Sequence, residues 1–255
     1  GIRTRREHGK KLSSRLCGRL QMSVVAQNLL IREDRIDILF DLAGHTRGNR
    51  LLVFARKPAP IQITWLGYEG TTGLAAMDYL IADSHEIPSD AESCYQEQIL
   101  RMPDGYVCYD PLSYAPPVSS LPALERGFVT FGCFNNPAKL TAAVIEVWAR
   151  ILQRVPNSRL VLKYWGMSEP TVSGRMADLF ADQEIDSGRV EFSSKSPHAE
   201  MLAEYGRIDL ALDPFPFNGG VTTCDALWMG VPVVTCPGET FASRHSLSHL
   251  SNVGL

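Results

Sequence analysis

The residues from Asp213 to Thr235 are the part of this chain best suited to hold an anion, and they include Pro-Phe-Pro-Phe-Asn-Gly-Gly-Val-Thr-Thr-Cys-Asp over 214–225. The order reads as strand end, glycine turn, helix, glycine stop and strand. Arg207 to Leu212 has the apolar density of a buried strand. Asn218-Gly219-Gly220 lets the backbone turn without a Cβ in the way. Thr222 and Thr223 then open a short helix that ends near Gly230. Backbone N–H groups at a helix start point outward and carry partial positive charge, so an anion fits there. A pyrophosphate carrying a sugar and a nucleoside is one natural guest. The spacing Thr222-x-x-Asp225 also fits a capping box in its carboxylate variant, a purely structural use of the same two residues.

Such a mouth needs a sheet to hold it. Strands are expected at 36–42, 61–66, 79–82, 98–101, 128–134, 159–164, 189–192, 208–212 and 231–235. Helices are expected from Cys17 to Ile31, Ser89 to Gln96, Thr141 to Gln153 and Glu169 to Ala181, the last with Pro170 in its first turn. Alternation at this pitch predicts an α/β fold with parallel sheets covered by helices. Pro111, Pro116, Pro117 and Pro122 mark 111–126 as a semi-rigid linker. The expected domains are therefore 1–110 and 127–255. Ligands of parallel sheets bind at the carboxyl ends of strands. Three polar loops follow strands in the second half, at 135–139, 193–198 and 217–222.

Composition excludes several classes. The chain has 255 residues, 45% hydrophobic and 21% charged, ordinary for a globular protein with a real core. A net charge of −3 gives no footprint for nucleic acid, and no apolar run approaches membrane-spanning length. The basic start, Arg3 to Lys11, has no apolar core behind it and reads as a solvated segment. Six cysteines are scattered with no Cys-x-x-Cys pair, which argues against a metal site or a disulfide framework and for a reducing, cytoplasmic setting. No Gly-x-Gly-x-x-Gly follows a strand, so a dinucleotide dehydrogenase is not expected.

The segments Ile36 to Thr46, Arg56 to Tyr68, Met77 to Tyr79, Phe131 to Lys139, Trp148 to Ser158 and Asp213 to Glu239, in this order, resemble the catalytic region of the O-linked N-acetylglucosamine transferase family. Its bacterial and plant relatives include the SPINDLY-type protein O-fucosyltransferases. The resemblance implies a GT-B fold, two Rossmann-like domains with parallel sheets facing a cleft. It implies an inverting glycosyltransferase that moves a sugar, N-acetylglucosamine from UDP-GlcNAc first of all, to Ser or Thr hydroxyls of acceptor proteins. No metal is required and no cofactor beyond the nucleotide-sugar donor. Tetratricopeptide repeats are expected upstream in the full-length chain. The N-terminal domain is expected to be incomplete, the final helical segment missing, and the fragment inactive alone. Fucosyl transfer from GDP-fucose and a non-catalytic nucleotide-sugar-binding scaffold are the alternatives.

Carried over residue by residue, the resemblance makes Lys139 the lysine that contacts the diphosphate. Metal-free departure of a nucleoside diphosphate needs fixed positive charge near its developing negative charge. Asn136 is expected at the phosphates too, its amide donating without adding charge. Thr222 is expected at the diphosphate, Asp225 at the ribose hydroxyls, and Asn218 and Gly219 near the donor sugar. Gly220 and Val221 replace a histidine and a threonine of the animal enzymes. His198 falls near a base-contacting lysine of those enzymes, and Met201 where they carry a histidine that stacks on uracil. In the first half, His45 is a candidate base or acceptor-orienting group. Asp41, Trp65, Tyr68 and Thr71 are expected to line the acceptor-side cleft.

Overall fold

A computed structural model describes residues 22–110 and 112–255. The expected basic segment at 3–11 and the first residues of the expected helix from Cys17 lie outside the described residues. The chain forms two compact units, Gly1–Tyr106 and Val107–Leu255. The stretch expected as a linker, 111–126, thus groups with the second unit.

In the first unit, α1 (Val24–Glu33) leads to β1 (Ile38–Asp41), α2 (Leu51–Phe54), β2 (Ile61–Thr64), β3 (Tyr79–Ala82) and β4 (Gln98–Arg101). The strands form a parallel sheet in the order β1-β2-β3-β4. Ser23 caps α1, its Oγ accepting from the Ala26 amide at 3.3 Å. The stretch expected as a helix over Ser89 to Gln96 is a 3-10 turn, Ser89–Cys94. The short α2 escapes a periodicity reading because four residues carry less than two turns of pattern.

In the second unit, α3 (Pro122–Arg126) precedes β5 (Thr130–Cys133), α4 (Ala142–Arg154), β6 (Arg159–Lys163), α5 (Pro170–Ala181) and β7 (Val190–Ser193). Then come α6 (His198–Glu204), β8 (Leu210–Leu212), α7 (Val221–Trp228), β9 (Val233–Val234) and α8 (His245–Asn252). All strand pairs are parallel, in the order β7-β6-β5-β8-β9. Strand order therefore reverses between β5 and β8. The chain builds outward from β5 to β7, then returns to the other side of β5. Loops leaving the carboxyl ends of β5 and β8 diverge and leave a crevice between them.

Side-chain alternation along β6 feeds both faces of this sheet. Leu160 and Leu162 pack with Val144, Ile145, Trp148 and Phe180 of α4 and α5, while Val161 packs with Leu202, Tyr205 and Ile208. Burial on both faces is why these strands read as unbroken apolar runs. Thr141 caps α4, its Oγ1 accepting from the Val144 amide at 3.3 Å. Cys133 at the end of β5 is buried, and burial pushes its thiol up to about 12. Among the described residues no helix is long and apolar enough to cross a membrane.

Gly132 lies where β5 meets Ile208. A Cβ there would meet Ile208 Cδ1 at 2.5 Å and Cγ2 at 2.8 Å. Gly132→Ala forces a branched side chain or the strand to shift, so a loss of about 1–3 kcal/mol is expected in urea unfolding. An unchanged midpoint would show that Ile208 repacks freely.

Candidate anion-binding site at the strand switch point

The crevice at the reversal of strand order holds the residues that the sequence marks for anion chemistry. After β5 the chain runs through Asn135 and Asn136 into a 3-10 turn, Pro137–Lys139. Asn136 is exposed and its Oδ1 accepts from the Ala138 amide at 2.9 Å. That bond starts the turn and leaves the side-chain NH2 facing outward as a donor. Lys139, brought back by the turn, sets its Nζ 2.6 Å from the carbonyl oxygen of Asn218 and 3.3 Å from Asn135 Oδ1. The ammonium also stands 4.0 Å above the centre of the Phe217 ring. A lysine that would otherwise sample many rotamers is thereby fixed at the crevice.

From the β8 side, Thr222 donates its hydroxyl to the same Asn135 Oδ1 at 3.1 Å. One carboxamide oxygen thus joins both loops. Asn135 was not singled out from the sequence, where Asn136 took its place. Only its position directly after a buried strand distinguishes the two asparagines. Asn135, Asn136, Lys139, Tyr164, Phe217, Gly220 and Thr222 are among the residues that enclose a cavity of about 540 Å³.

The capping box expected from Thr222-x-x-Asp225 does not form. The helix begins two residues earlier than that box requires, with Gly220 at the N-cap and no side-chain cap. Thr222 is then the second helical residue and its hydroxyl is spent across the crevice. The amides of Val221 and Thr222, first in the helix, have no acceptor in a preceding turn of it, and both residues line the cavity. Asp225 lies one turn deeper, 3% exposed, and accepts from the Tyr109 hydroxyl at 2.7 Å. Burial raises its pKa above 3.8, and the Tyr109 hydrogen bond and the His198 charge offset part of that rise. The carboxylate in turn helps burial raise the Tyr109 hydroxyl.

Asn218 and Gly219 build the floor instead of reaching out from it. Asn218 is fully buried, its Nδ2 donating to the Pro214 carbonyl at 2.9 Å. The Gly219 amide donates to Asp213 Oδ1 at 2.6 Å, and Asp213 Oδ2 accepts from Thr235 Oγ1 at 2.7 Å. Burial raises the Asp213 carboxyl, against hydrogen bonds that pull it down. A Cβ on Gly219 would meet Thr222 Oγ1 at 2.6 Å and Thr223 Oγ1 at 2.7 Å, so only glycine fits.

His198 opens α6 beside a neighbouring cavity of about 550 Å³. That cavity is also lined by Phe134, Tyr164, Trp165, Lys195 and Met201. It shares Tyr164 and Thr222 with the first cavity, so one elongated ligand could span both. His198 Nδ1 lies 3.2 Å from the Tyr114 hydroxyl, and the two rings meet edge to face at 5.9 Å.

The first-unit candidates gather at the carboxyl ends of β1 and β2. Asp41 is buried, and its carboxylate accepts from the amides of Ala43 and Gly44 at 3.2 and 2.9 Å and from Thr64 Oγ1 at 3.2 Å. It shapes the loop carrying His45 and does not touch the imidazole. His45 Nε2 instead lies 3.0 Å from the Thr72 carbonyl oxygen, with the ring edge-on to Tyr68 at 5.1 Å. A carbonyl can only accept, so Nε2 carries the proton and a neutral ring keeps its lone pair on Nδ1. Thr71 Oγ1 donates to Glu97 Oε2 at 2.7 Å, holding the opposing loop. Trp65 turns its Nε1–H to the Tyr106 carbonyl at 2.8 Å. Gly44 has φ +48, and a Cβ there would meet Tyr68 Cβ at 2.2 Å.

The sequence model of glycosyl transferase family 41 matches residues 19–121 and 117–255. The chain is 46% identical over 228 residues to a probable UDP-N-acetylglucosamine–peptide N-acetylglucosaminyltransferase SPINDLY of Arabidopsis thaliana, covering 89% of this chain and 25% of that protein. To the Arabidopsis thaliana homologue named SEC it is 34% identical over 234 residues, covering 88% of this chain and 23% of that one. A mutant O-GlcNAc transferase of Thermobaculum terrenum superposes with a TM-score of 0.88 at 39% identity, over 92% of this chain and 44% of that one. The Anabaena protein HepE, solved with UDP and glucose, shares the fold at a TM-score of 0.53 and 16% identity. The chain spans about a quarter of the length of the curated relatives it matches. The α/β architecture with parallel sheets is that of GT-B glycosyltransferases.

Asp225 yields a pH test. A carboxyl whose folded pKa is raised binds its proton more readily when folded, so stability falls as pH rises from 3.8 through the raised value. Asp225→Asn removes this contribution. The difference in unfolding free energy between parent and variant should move against the parent as pH climbs through that window, measured by urea titration at stepped pH. A difference independent of pH would mean that Asp225 ionises as in an unfolded chain.

Proposed function

The chain belongs to glycosyl transferase family 41, and on that footing we propose that it forms the donor-side catalytic core of an inverting protein O-glycosyltransferase. The reading is that a Ser or Thr hydroxyl of an acceptor protein attacks the anomeric carbon while a nucleoside diphosphate leaves. The single observation that carries it is the junction of Lys139 Nζ and Thr222 Oγ1 on Asn135 Oδ1, beside the first turn of α7. These groups converge where negative charge would build on the departing diphosphate. They are already fixed, so little reorganisation is needed as that charge develops. No metal is invoked, because Lys139 and the helix mouth supply the positive charge.

The donor proposed first is UDP-GlcNAc, in line with the names of the SPINDLY and SEC relatives. Its pyrophosphate would sit at Lys139, Asn136 and Thr222, its ribose hydroxyls at Asp225, and its base in the cavity beside His198 and Met201. The base that takes the acceptor proton is proposed as His45, supported by the carbonyl bond that leaves Nδ1 unprotonated in the neutral ring. Asp41, Tyr68 and Thr71 would order the acceptor-side loops around it, and Trp65 would brace them. A second reading, fucosyl transfer from GDP-fucose, keeps the pyrophosphate chemistry and changes only base and sugar. Gly44-His45-Thr46 and Phe134-Asn135-Asn136 permit it, and Gly220-Val221 at the mouth of α7 weakens the case for N-acetylglucosamine, because the resemblance puts a histidine and a threonine there in the animal enzymes. Tetratricopeptide repeats upstream in the full-length chain are proposed to recruit the acceptor. A cytoplasmic setting is proposed from Cys94, Cys108, Cys133, Cys224 and Cys236, all free thiols.

Lys139→Ala in the full-length protein should lower transfer about 10²–10³-fold while the circular dichroism spectrum stays that of the parent. Turnover near the parent's would remove Lys139 from the chemistry. Calorimetry with UDP and GDP separates the two donor readings by which nucleotide binds tighter. Binding of either without sugar transfer to acceptor peptides would instead point to a scaffold.

A further inference from the structure

A third cavity lies at the opposite end of the second sheet, where β5, β6 and β7 begin. It has a volume of about 410 Å³ and is lined by Arg126, Phe128, Thr130, Arg159, Arg189, Glu191 and Arg207 among others. Strand register explains the gathering. Thr130 pairs with Arg159, and Val161 with Glu191, so these side chains project from one face of the sheet. Phe128, two residues before Thr130, continues that face.

The four arginines are not equivalent. Arg189 is spent inside the fold, donating to the carbonyls of Leu152, Val155 and Ser158 at 2.7 to 3.1 Å. Arg207 is held by both oxygens of Glu191 at 2.8 and 2.7 Å. Arg126 gives one nitrogen to the Arg207 carbonyl at 2.8 Å and keeps the rest of its fork. Arg159 lies 4.7 Å above the Phe128 ring, with no carboxylate at ion-pair distance among the described residues. Below them, Thr130 is 2% exposed and its Oγ1 has no hydrogen-bond partner among the described residues. A buried hydroxyl left unbonded costs free energy, and Thr130 is one of the residues lining a cavity whose rim carries unspent guanidinium donors.

We propose that this cavity is a second anion site, built for the phosphoryl group of a small phosphorylated molecule. Two planar forks match phosphate oxygens, Thr130 supplies a hydroxyl donor from the floor, and the Phe128 and Val161 walls take the apolar remainder of the ligand. The site is separate from the Lys139 crevice, which lies at the other ends of the same strands, and does not depend on the donor assigned there.

The test is calorimetric titration of inorganic phosphate at low ionic strength into Lys139→Ala, which weakens the competing crevice, and into the same variant carrying Arg159→Ala or Thr130→Val. Lys139→Ala alone should still bind phosphate. Arg159→Ala should bind about tenfold more weakly or worse, as expected when a charge-assisted hydrogen bond is removed. Thr130→Val keeps the shape of the side chain and removes only the hydroxyl, so it should fold as the parent does and also lose affinity. Two results would overturn the site: no binding of millimolar phosphate to Lys139→Ala, or added Arg159→Ala and Thr130→Val that each leave the affinity of Lys139→Ala unchanged.

Discussion

The Asn135 carboxamide oxygen holds the candidate site together. It accepts from Lys139 Nζ and from Thr222 Oγ1, one from each side of the strand switch point. A neutral oxygen in that role joins the two donors without adding a negative charge between them. It also leaves both donors able to turn toward an incoming oxygen without stranding a buried ion. The Asn218 carbonyl and the Phe217 ring also touch the ammonium, so the groups of the site are held in place.

The floor beneath it follows the opposite rule. Asp213 is buried and charged groups there are costly, so its oxygens are taken up by the Gly219 amide and the Thr235 hydroxyl. That carboxylate fixes the turn through 217–220 and with it the position at which α7 begins. Gly219 has no room for a Cβ because Thr222 and Thr223 close over it. Local sterics, hydrogen bonding and the helix mouth thus depend on a few residues from Asp213 to Thr223.

Much of this was legible in the sequence, and the exceptions have physical causes. The strands of the second unit were visible because burial on both faces leaves unbroken apolar runs, as in Leu160 to Lys163. Lys139, Asn136 and Thr222 were legible as a set only through their similarity to a family, since each alone looks like an ordinary loop or cap residue. Asn135 was missed because its role arises from a partner 87 positions away, which no local pattern encodes. The capping box failed because the helix starts after Gly220, which puts Thr222 inside its first turn rather than at the N-cap. Asn218 and Gly219 were expected near the donor sugar, and their bonds to Pro214 and Asp213, which build the turn itself, come from tertiary contacts. The stretch 111–126 read as a linker from its prolines, yet Asp209 draws the Ala123 and Thr130 amides to its two oxygens at 2.7 Å each.

Cys133 sits one strand residue below this assembly, sealed from solvent and disfavoured as a thiolate. Nucleophilic attack on an alkylating reagent requires the thiolate and access, and the native chain denies both. Cys94, Cys108 and Cys236 stand exposed. The molecule therefore carries its own clock: surface sulfurs report encounter with the reagent, and the strand sulfur reports only the rare moments when the sheet comes apart.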